Sequence, residues 1–155
     1  MAHTVSDQKR LARDADVNAA DIARQTATVR EDLTFACQVV DIWNSRVAGG
    51  RELFLSPTIR AAILARKPYL KFYCPACHVT GHVDLRKIDR HRGTSITSLI
   101  PALSCRRCVP DAPFVRLTGL EGVPGDEQPR NLEIEASLIV RDARRAAIRR
   151  RREEE

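Results

Sequence analysis

Apolar residues in the first third of the chain recur every three or four positions, which is the pattern of an amphipathic helix. The pattern predicts a first helix over about residues 18–48, ending before Gly49 and Gly50 because glycine relieves the strain of a helix C-terminus. Residues 1–17 are mostly polar and are predicted to be flexible. The predicted helix carries the apolar stripe Leu33, Ala36, Cys37, Val40, Trp43 and Val47.

A second, shorter helix is predicted over residues 57–66, which makes 18–67 a helical segment. Ser56 can cap its first turn, and Pro57 has the backbone angle that a first helical position requires. Residues 51–55, between the two helices, are predicted to be extended.

The middle of the chain, residues 68–118, contains short runs typical of strands, separated by turn residues. Thr94 or Ser95 is predicted to cap a short helical turn that runs through Ile100. The predicted strands cover residues 69–73, 82–86, 102–104 and 114–118. Together with the helices they predict an α+β protein with a small antiparallel sheet.

The last part of the chain combines a flexible linker with a basic segment. Residues 119–131 contain three glycines and two prolines and predict the linker. Residues 132–155 predict an arginine-rich helix or a partly disordered tail, because seven arginines are nearly balanced by six acidic residues. Its predicted apolar face consists of Leu132, Ala136, Ile139, Ala143 and Ala146.

Four cysteines within the predicted sheet region have the spacing of a metal site. Cys74 and Cys77 form one Cys-x2-Cys pair, and Cys105 and Cys108 form a second pair after 27 intervening residues. Two such turns can direct four thiolates at one cation, which is the arrangement of a structural zinc site. Binding of zinc to such a site contributes folding free energy on the order of 10 kcal/mol.

This region resembles the zinc-ribbon family over about residues 68–118. The resemblance rests on Cys74-Pro75-Ala76-Cys77 and Cys105-Arg106-Arg107-Cys108. It implies two metal-binding turns, each at the end of a strand, joined by a hairpin in a small sheet. The whole chain is also similar to small bacterial proteins built around such a ribbon, a resemblance that implies no activity.

Three other interpretations of the cysteines remain open. Cys74 to His78 matches the haem-attachment pattern C-x-x-C-H, but that interpretation leaves the second pair without a role. A redox dithiol at a helix start is a further alternative, although Gly81 and the strand-like residues after it argue against a helix there. Iron is the minor alternative to zinc, since four thiolates can hold either metal.

The remaining cysteine and the compartment can also be addressed from the sequence. No secretory signal and no long apolar run is visible, so we expect a cytoplasmic protein without membrane contact, in which thiols stay reduced. Cys37, on the apolar helix face, is expected to be a small buried hydrophobe. His78, His82 and His91 are expected around the metal site or on the surface.

Positive charge is concentrated around the cysteines. The chain carries a net charge of +6, and residues 66–118 contain ten Lys or Arg against three Asp or Glu. A four-thiolate zinc site has no open position for substrate, so we expect no catalysis by the metal and no small-molecule substrate. The sequence predicts nucleic-acid binding through Lys71, Arg86, Lys87, Arg90, Arg92, Arg106 and Arg107.

Two further functions compete with nucleic-acid binding. The chain can act as a protein-interaction adaptor that uses the apolar stripe of the first helix. Residues 89–93 are also weakly similar to the HNH nuclease pattern. However, Asp89 and His91 are not adjacent, and Pro110 and Pro113 oppose the helix that would carry the final histidine. We therefore expect a protein that is not an enzyme.

Overall fold

The computed structural model describes residues 4–51, 55–126 and 128–154. Its helices and strands confirm the α+β class. In chain order they are α1 (Val5–Ala48), α2 (Ile59–Leu64), β1 (Tyr69–Tyr73), β2 (Thr80–Asp84), a 3-10 helix (Ile96–Ala102), β3 (Arg116–Glu121) and α3 (Leu132–Glu153).

The chain divides into two compact units, and α1 contributes residues to both. One unit runs from Leu33 to Gln128 and contains the sheet, α2 and the cysteines. The other combines the part of α1 up to Asp32 with the residues from Pro129 onward.

The sheet has three antiparallel strands in the order β2-β1-β3. Leu70 stands at its centre, opposite Val83 on β2 and Leu120 on β3. The pairing of β1 with β3 is interrupted by an irregularity between Lys71 and Phe72, so that Lys71 pairs with Gly119 while Phe72 pairs with Leu117. This shift inserts one extra residue into β3.

The core of this unit is built from aliphatic side chains around a single tryptophan. Removing such a side chain from water stabilises the fold by about 1.5–3 kcal/mol. Part of the predicted stripe on α1 is a core face, because Val40 and Trp43 belong to the core and Cys37 and Val47 pack against it. The core contains Val40, Trp43, Ile59, Ala62, Ala65, Leu70, Leu85, Ile96, Leu99, Leu117 and Leu120.

The prediction that α1 begins near residue 18 is wrong, because the helix begins at Val5. A reciprocal cap explains the earlier start. The Asp7 amide donates to Thr4 Oγ1 at 3.4 Å, while the Thr4 amide donates to Asp7 Oδ2 at 3.2 Å. These hydrogen bonds satisfy amides at the helix start that have no partner inside the helix. They stabilise the first turn even though the residues that follow it are mostly polar.

The second helix is shorter than predicted, and its cap is Thr58 rather than Ser56. Thr58 Oγ1 accepts a hydrogen bond from the Ala61 amide. Ser56 instead accepts from the Thr97 amide at 3.0 Å, so it caps the 3-10 helix from outside. Ser95 precedes that helix, as predicted, but its side chain makes no capping bond. Residues 52–54 of the predicted extended segment lie outside the described residues.

Three strand predictions differ from the structure. The second strand lies at Thr80–Asp84, two residues earlier than predicted. Residues 102–104 form no strand, since Ala102 ends the 3-10 helix. The closing strand begins at Arg116 and continues to Glu121, into the predicted linker, because Leu120 is buried in the core.

In the other unit, α3 is a continuous helix rather than a disordered tail. Asn131 Oδ1 caps it by accepting from the amides of Glu133 and Ile134. Its Arg144 bonds Asp21 and Gln25 on α1. Arg30 on α1 contacts Glu133 at 3.2 Å.

The predicted apolar face of α3 is only partly correct. Ala136 and Val140 are its buried residues. Ile139 and Ala143 are exposed. The less exposed side of α3 is therefore formed by every fourth residue from Leu132, namely Leu132, Ala136, Val140 and Arg144.

Candidate metal centre

The first cysteine pair lies in a tight turn between β1 and β2. Cys74 directly follows β1, and its amide donates to the Val79 carbonyl at 2.9 Å. The His78 amide donates to the Cys74 carbonyl at the same distance. His78 adopts a φ of 61°, in the left-handed region, which lets the chain reverse directly into β2. The hairpin thus delivers Cys74 and Cys77 as a pair.

The second pair lies in a similar turn after the 3-10 helix. The amides of Cys108 and Val109 both donate to the Cys105 carbonyl at 3.1 Å. This turn presents Arg106 and Arg107 to solvent. A helical turn, and not the predicted strand, therefore precedes the second pair.

The two turns bring all four sulfurs together. Cys74 Sγ lies 3.8 Å from Cys108 Sγ, and Cys77 Sγ lies 3.5 Å from Cys105 Sγ. All four sulfurs are within 4.8 Å of one another. A tetrahedral metal with bonds of about 2.3 Å holds its sulfurs about 3.8 Å apart. The four cysteines are therefore positioned to hold a metal ion.

The separations do not fit disulfides, which require a sulfur–sulfur distance of about 2.05 Å. All four cysteines are free thiols. Because both pairs belong to one cluster, the geometry favours a single metal site over haem attachment, which leaves Cys105 and Cys108 without a role. Cys74 to Cys77 also form turns and no helix, unlike the start of a redox helix.

The thiols of the cluster differ in acidity. Hydrogen bonding from the Cys77 backbone amide is the main cause that lowers the pKa of Cys74 to about 7. The neighbouring thiols, Cys77 first, raise the pKa of Cys108 to about 12. One thiolate therefore forms readily, whereas further negative charge among the clustered sulfurs is opposed. A divalent cation supplies the positive charge that four thiolates need.

Three of the seven predicted nucleic-acid contacts are already engaged within the protein. Lys71 Nζ lies 2.8 Å from Glu121 Oε1. Arg86 bonds both carboxylate oxygens of Asp84 at 2.9 Å and lies over the Tyr69 ring. Two further hydrogen bonds engage Arg92, which donates to the carbonyls of Leu85 and Arg86.

These ion pairs also change the acidity of the carboxylates. The hydrogen bond from Arg86 lowers the pKa of Asp84, and the hydrogen bond from Lys71 lowers the pKa of Glu121. Both carboxylates therefore stay charged at neutral pH and compensate the nearby cations. The sequence pattern does not predict that these two carboxylates pair with Arg86 and Lys71. Glu121 in particular falls within the predicted linker, where no contact with β1 is expected.

The other four cations are exposed. In the described ranges, their side chains make no hydrogen bond and no ion pair. Two of them are on the second cysteine turn, and two follow β2. They are Lys87, Arg90, Arg106 and Arg107.

The three histidines in the described part of the chain, His78, His82 and His91, do not join the metal cluster. The His78 ring bonds the Tyr73 hydroxyl, and His82 Nε2 lies 3.3 Å from Glu121 Oε2. His91 Nδ1 accepts from the Gly93 amide at 3.0 Å. Cys37 is half-buried and packs against the core.

Comparison with models of known families, with curated proteins and with solved structures gives no significant match for this chain. The zinc-ribbon resemblance therefore rests on the cysteine turns alone. None of the helices in the described ranges is long and apolar enough to cross a membrane. The adaptor hypothesis would use the apolar stripe of α1 to bind a partner. Three residues of this stripe, Leu33, Ala36 and Trp43, are at most 2% exposed and are therefore buried within the protein itself.

Proposed function

We propose that the four cysteines bind one structural zinc ion and that the surface beside them binds nucleic acid. Thiolate donors suit zinc and iron, and among divalent ions zinc binds such a site more tightly than Fe²⁺. Four protein ligands leave no coordination position for water or substrate, so the ion would stabilise the two turns and take no part in a reaction.

The observation that carries the nucleic-acid proposal is the pair of free arginines on the second cysteine turn. Arg106 and Arg107 are exposed and lack acidic partners among the described residues. An arginine without an internal partner can make bidentate contacts to a phosphate group. Lys87 and Arg90 add two further charges of the same kind. Because Lys71, Arg86 and Arg92 have internal partners, the proposed contact set contains only these four residues.

The proposal is tested by the salt dependence of binding. Fluorescence anisotropy with a labelled oligonucleotide is measured for the wild-type protein and for R106A/R107A between about 50 and 200 mM salt. We expect weaker binding by the variant and a slope of log affinity against log salt that is smaller by about 0.7–0.9 for each arginine removed.

A matched control separates local contacts from general charge. Arg10 and Arg13, in the other unit, are exposed and make no side-chain hydrogen bond or ion pair in the described ranges. R10A/R13A removes the same charge and is expected to bind like the wild type. Equal losses in both double variants, or no binding by the wild type, would contradict the proposed surface.

A further inference from the structure

An open cleft lies beside the second cysteine turn. It has a volume of about 470 Å³ and is lined by residues of β1 and β2, by Val79 just before β2, and by the segment from Ala102 to Arg107. This volume is within the range of roughly 300–1,000 Å³ that is typical of small-molecule sites. Cys105 of the metal cluster is part of its lining, whereas the other lining residues lie outside the cluster.

The inner part of the cleft is apolar. Phe72, Val83 and Leu103 line it and pack against the core, so they form its fixed wall. Gly81 stands opposite Phe72 in the pairing of β1 with β2. A Cβ atom at Gly81 would lie 2.4 Å from Phe72 Cζ. The aromatic ring can therefore lie against β2 because residue 81 has no side chain.

The outer part of the cleft is polar and positively charged. His82, Ser104, Arg106 and Arg107 line it and are exposed. Among the residues that the structure describes, no acidic residue lines the cleft. An apolar wall that includes an aromatic ring, under a rim of two free guanidinium groups, complements a flat apolar ligand attached to phosphates.

We infer that the cleft accepts an unpaired base of single-stranded nucleic acid, while Arg106 and Arg107 contact the phosphates beside that base. The inference rests on the proposed nucleic-acid binding and specifies which form is bound. Bases stack on aromatic side chains without sequence preference, and arginines follow the backbone. In a duplex the bases are stacked and paired, so their faces cannot enter a cleft without being flipped out. A single strand is therefore the ligand that matches both parts of the cleft.

The test compares three oligonucleotides of equal length. They are an oligothymidine strand, a strand of the same charge with abasic sites in place of bases, and a duplex. Removing the bases leaves the phosphate contacts unchanged but removes stacking. We expect the affinity for the abasic strand to be at least about fivefold lower than the affinity for oligothymidine, because the stacking of a single base on an aromatic ring changes affinity by about this factor.

A conservative variant assigns the difference to the cleft. F72L keeps an apolar side chain on the core but removes the ring, so its preference for oligothymidine over the abasic strand should fall toward one. I88V is the control, because Ile88 also packs on the core but does not line the cleft. Metal content and melting temperature of both variants show whether they fold.

The outcomes separate the inference from the proposed function. A base-dependent preference that F72L reduces and I88V keeps supports the cleft. Equal binding of oligothymidine, abasic strand and duplex, with loss in R106A/R107A, overturns the cleft inference but leaves nucleic-acid binding standing. No binding of any of the three overturns both.

Discussion

At the scale of single residues, Gly81 is the glycine at which an added Cβ would come closest to another atom, 2.4 Å from Phe72 Cζ. The two residues are paired across β1 and β2, and the ring occupies the space that a side chain at position 81 would take. The ring is half-buried and packs on the core, so it cannot move aside without leaving other contacts. Only glycine at position 81 is compatible with this packing.

We therefore predict that Gly81→Ala destabilises the protein by about 1–3 kcal/mol, the usual cost of inserting a methyl group into packed space. Urea unfolding of the metal-loaded protein measures the change.

Phe72→Leu in the same chain should recover part of the loss, since the smaller side chain frees the space near position 81. Equal costs of Gly81→Ala in the two backgrounds would show that the ring is not the cause.

The sequence predicts some residue roles well and others poorly, for physical reasons. Cysteine spacing identifies Cys74, Cys77, Cys105 and Cys108, because ligand chemistry needs only two short turns. The sequence does not predict which of the basic side chains form ion pairs within the protein, because these pairs depend on the register of the strands. Glu121 can meet Lys71 only if β3 continues past residue 118 beside β1.

At the scale of elements, one asparagine joins α1 to the sheet. Asn44 Nδ2 donates to the Leu120 carbonyl at 2.9 Å, and the Leu120 amide donates to Asn44 Oδ1 at 2.8 Å. The side-chain amide thus pairs with β3 as a neighbouring strand would. Leu120 is buried, so its backbone groups would otherwise lack partners.

We predict that Asn44→Ala lowers the free energy of unfolding by about 1–3 kcal/mol, because it leaves a buried amide and carbonyl without hydrogen bonds. Thermal unfolding compares it with the wild type. Ser45→Ala, at the exposed neighbouring position, should change stability by less than about 0.5 kcal/mol. A similar small effect of both substitutions would show that the two hydrogen bonds contribute little.

Element boundaries differ from the sequence predictions where a local hydrogen bond or a distant contact outweighs periodicity. With the reciprocal bonds of Thr4 and Asp7, α1 begins at Val5, thirteen residues before the predicted start near residue 18. Residues 102–104 have a strand-like composition, yet no strand in residues 4–51, 55–126 and 128–154 pairs with them. Long-range pairing of this kind is not encoded in the local pattern.

At the scale of the whole molecule, the cysteine cluster joins two separate turns of the unit from Leu33 to Gln128. Its sheet has three short strands, and the 3-10 helix and the second cysteine turn lie between β2 and β3 in the chain. A three-stranded sheet with a hydrophobic face can be stable on its own, and a bound metal adds folding free energy to it. A metal that links the two turns would therefore contribute to the fold of the entire unit.

We predict that metal removal by a chelator destabilises this unit, and that Cys77→Ser has the same effect. Hydrogen exchange should show loss of protection in β1 and β2 that exceeds the loss in α3, which belongs to the other unit. Native mass spectrometry reports the identity and number of bound ions.

Cys37→Ser provides the control for this experiment. Cys37 lies on the α1 core face and outside the cluster, so the variant should keep its metal despite a modest loss of stability. Unchanged protection after chelation, or loss of the ion in Cys37→Ser, would contradict a structural role for the four-cysteine cluster.

The α+β class and the sheet region were predictable because helical and strand periodicities occupy separate parts of the chain. The division into two units was not. One unit brings together residues more than a hundred positions apart, among them Arg144 and Asp21, which form an ion pair. The sequence marks each of these residues only as an exposed charge.

The bonds from Asn44 to Leu120 also bear on how copies of the chain behave when concentrated. β3 is an outer strand, and an outer strand with unmatched backbone groups can recruit an identical strand from another molecule. The asparagine occupies one such amide and carbonyl in the buried part of β3. The same side chain that secures α1 thus protects the protein against self-templated aggregation.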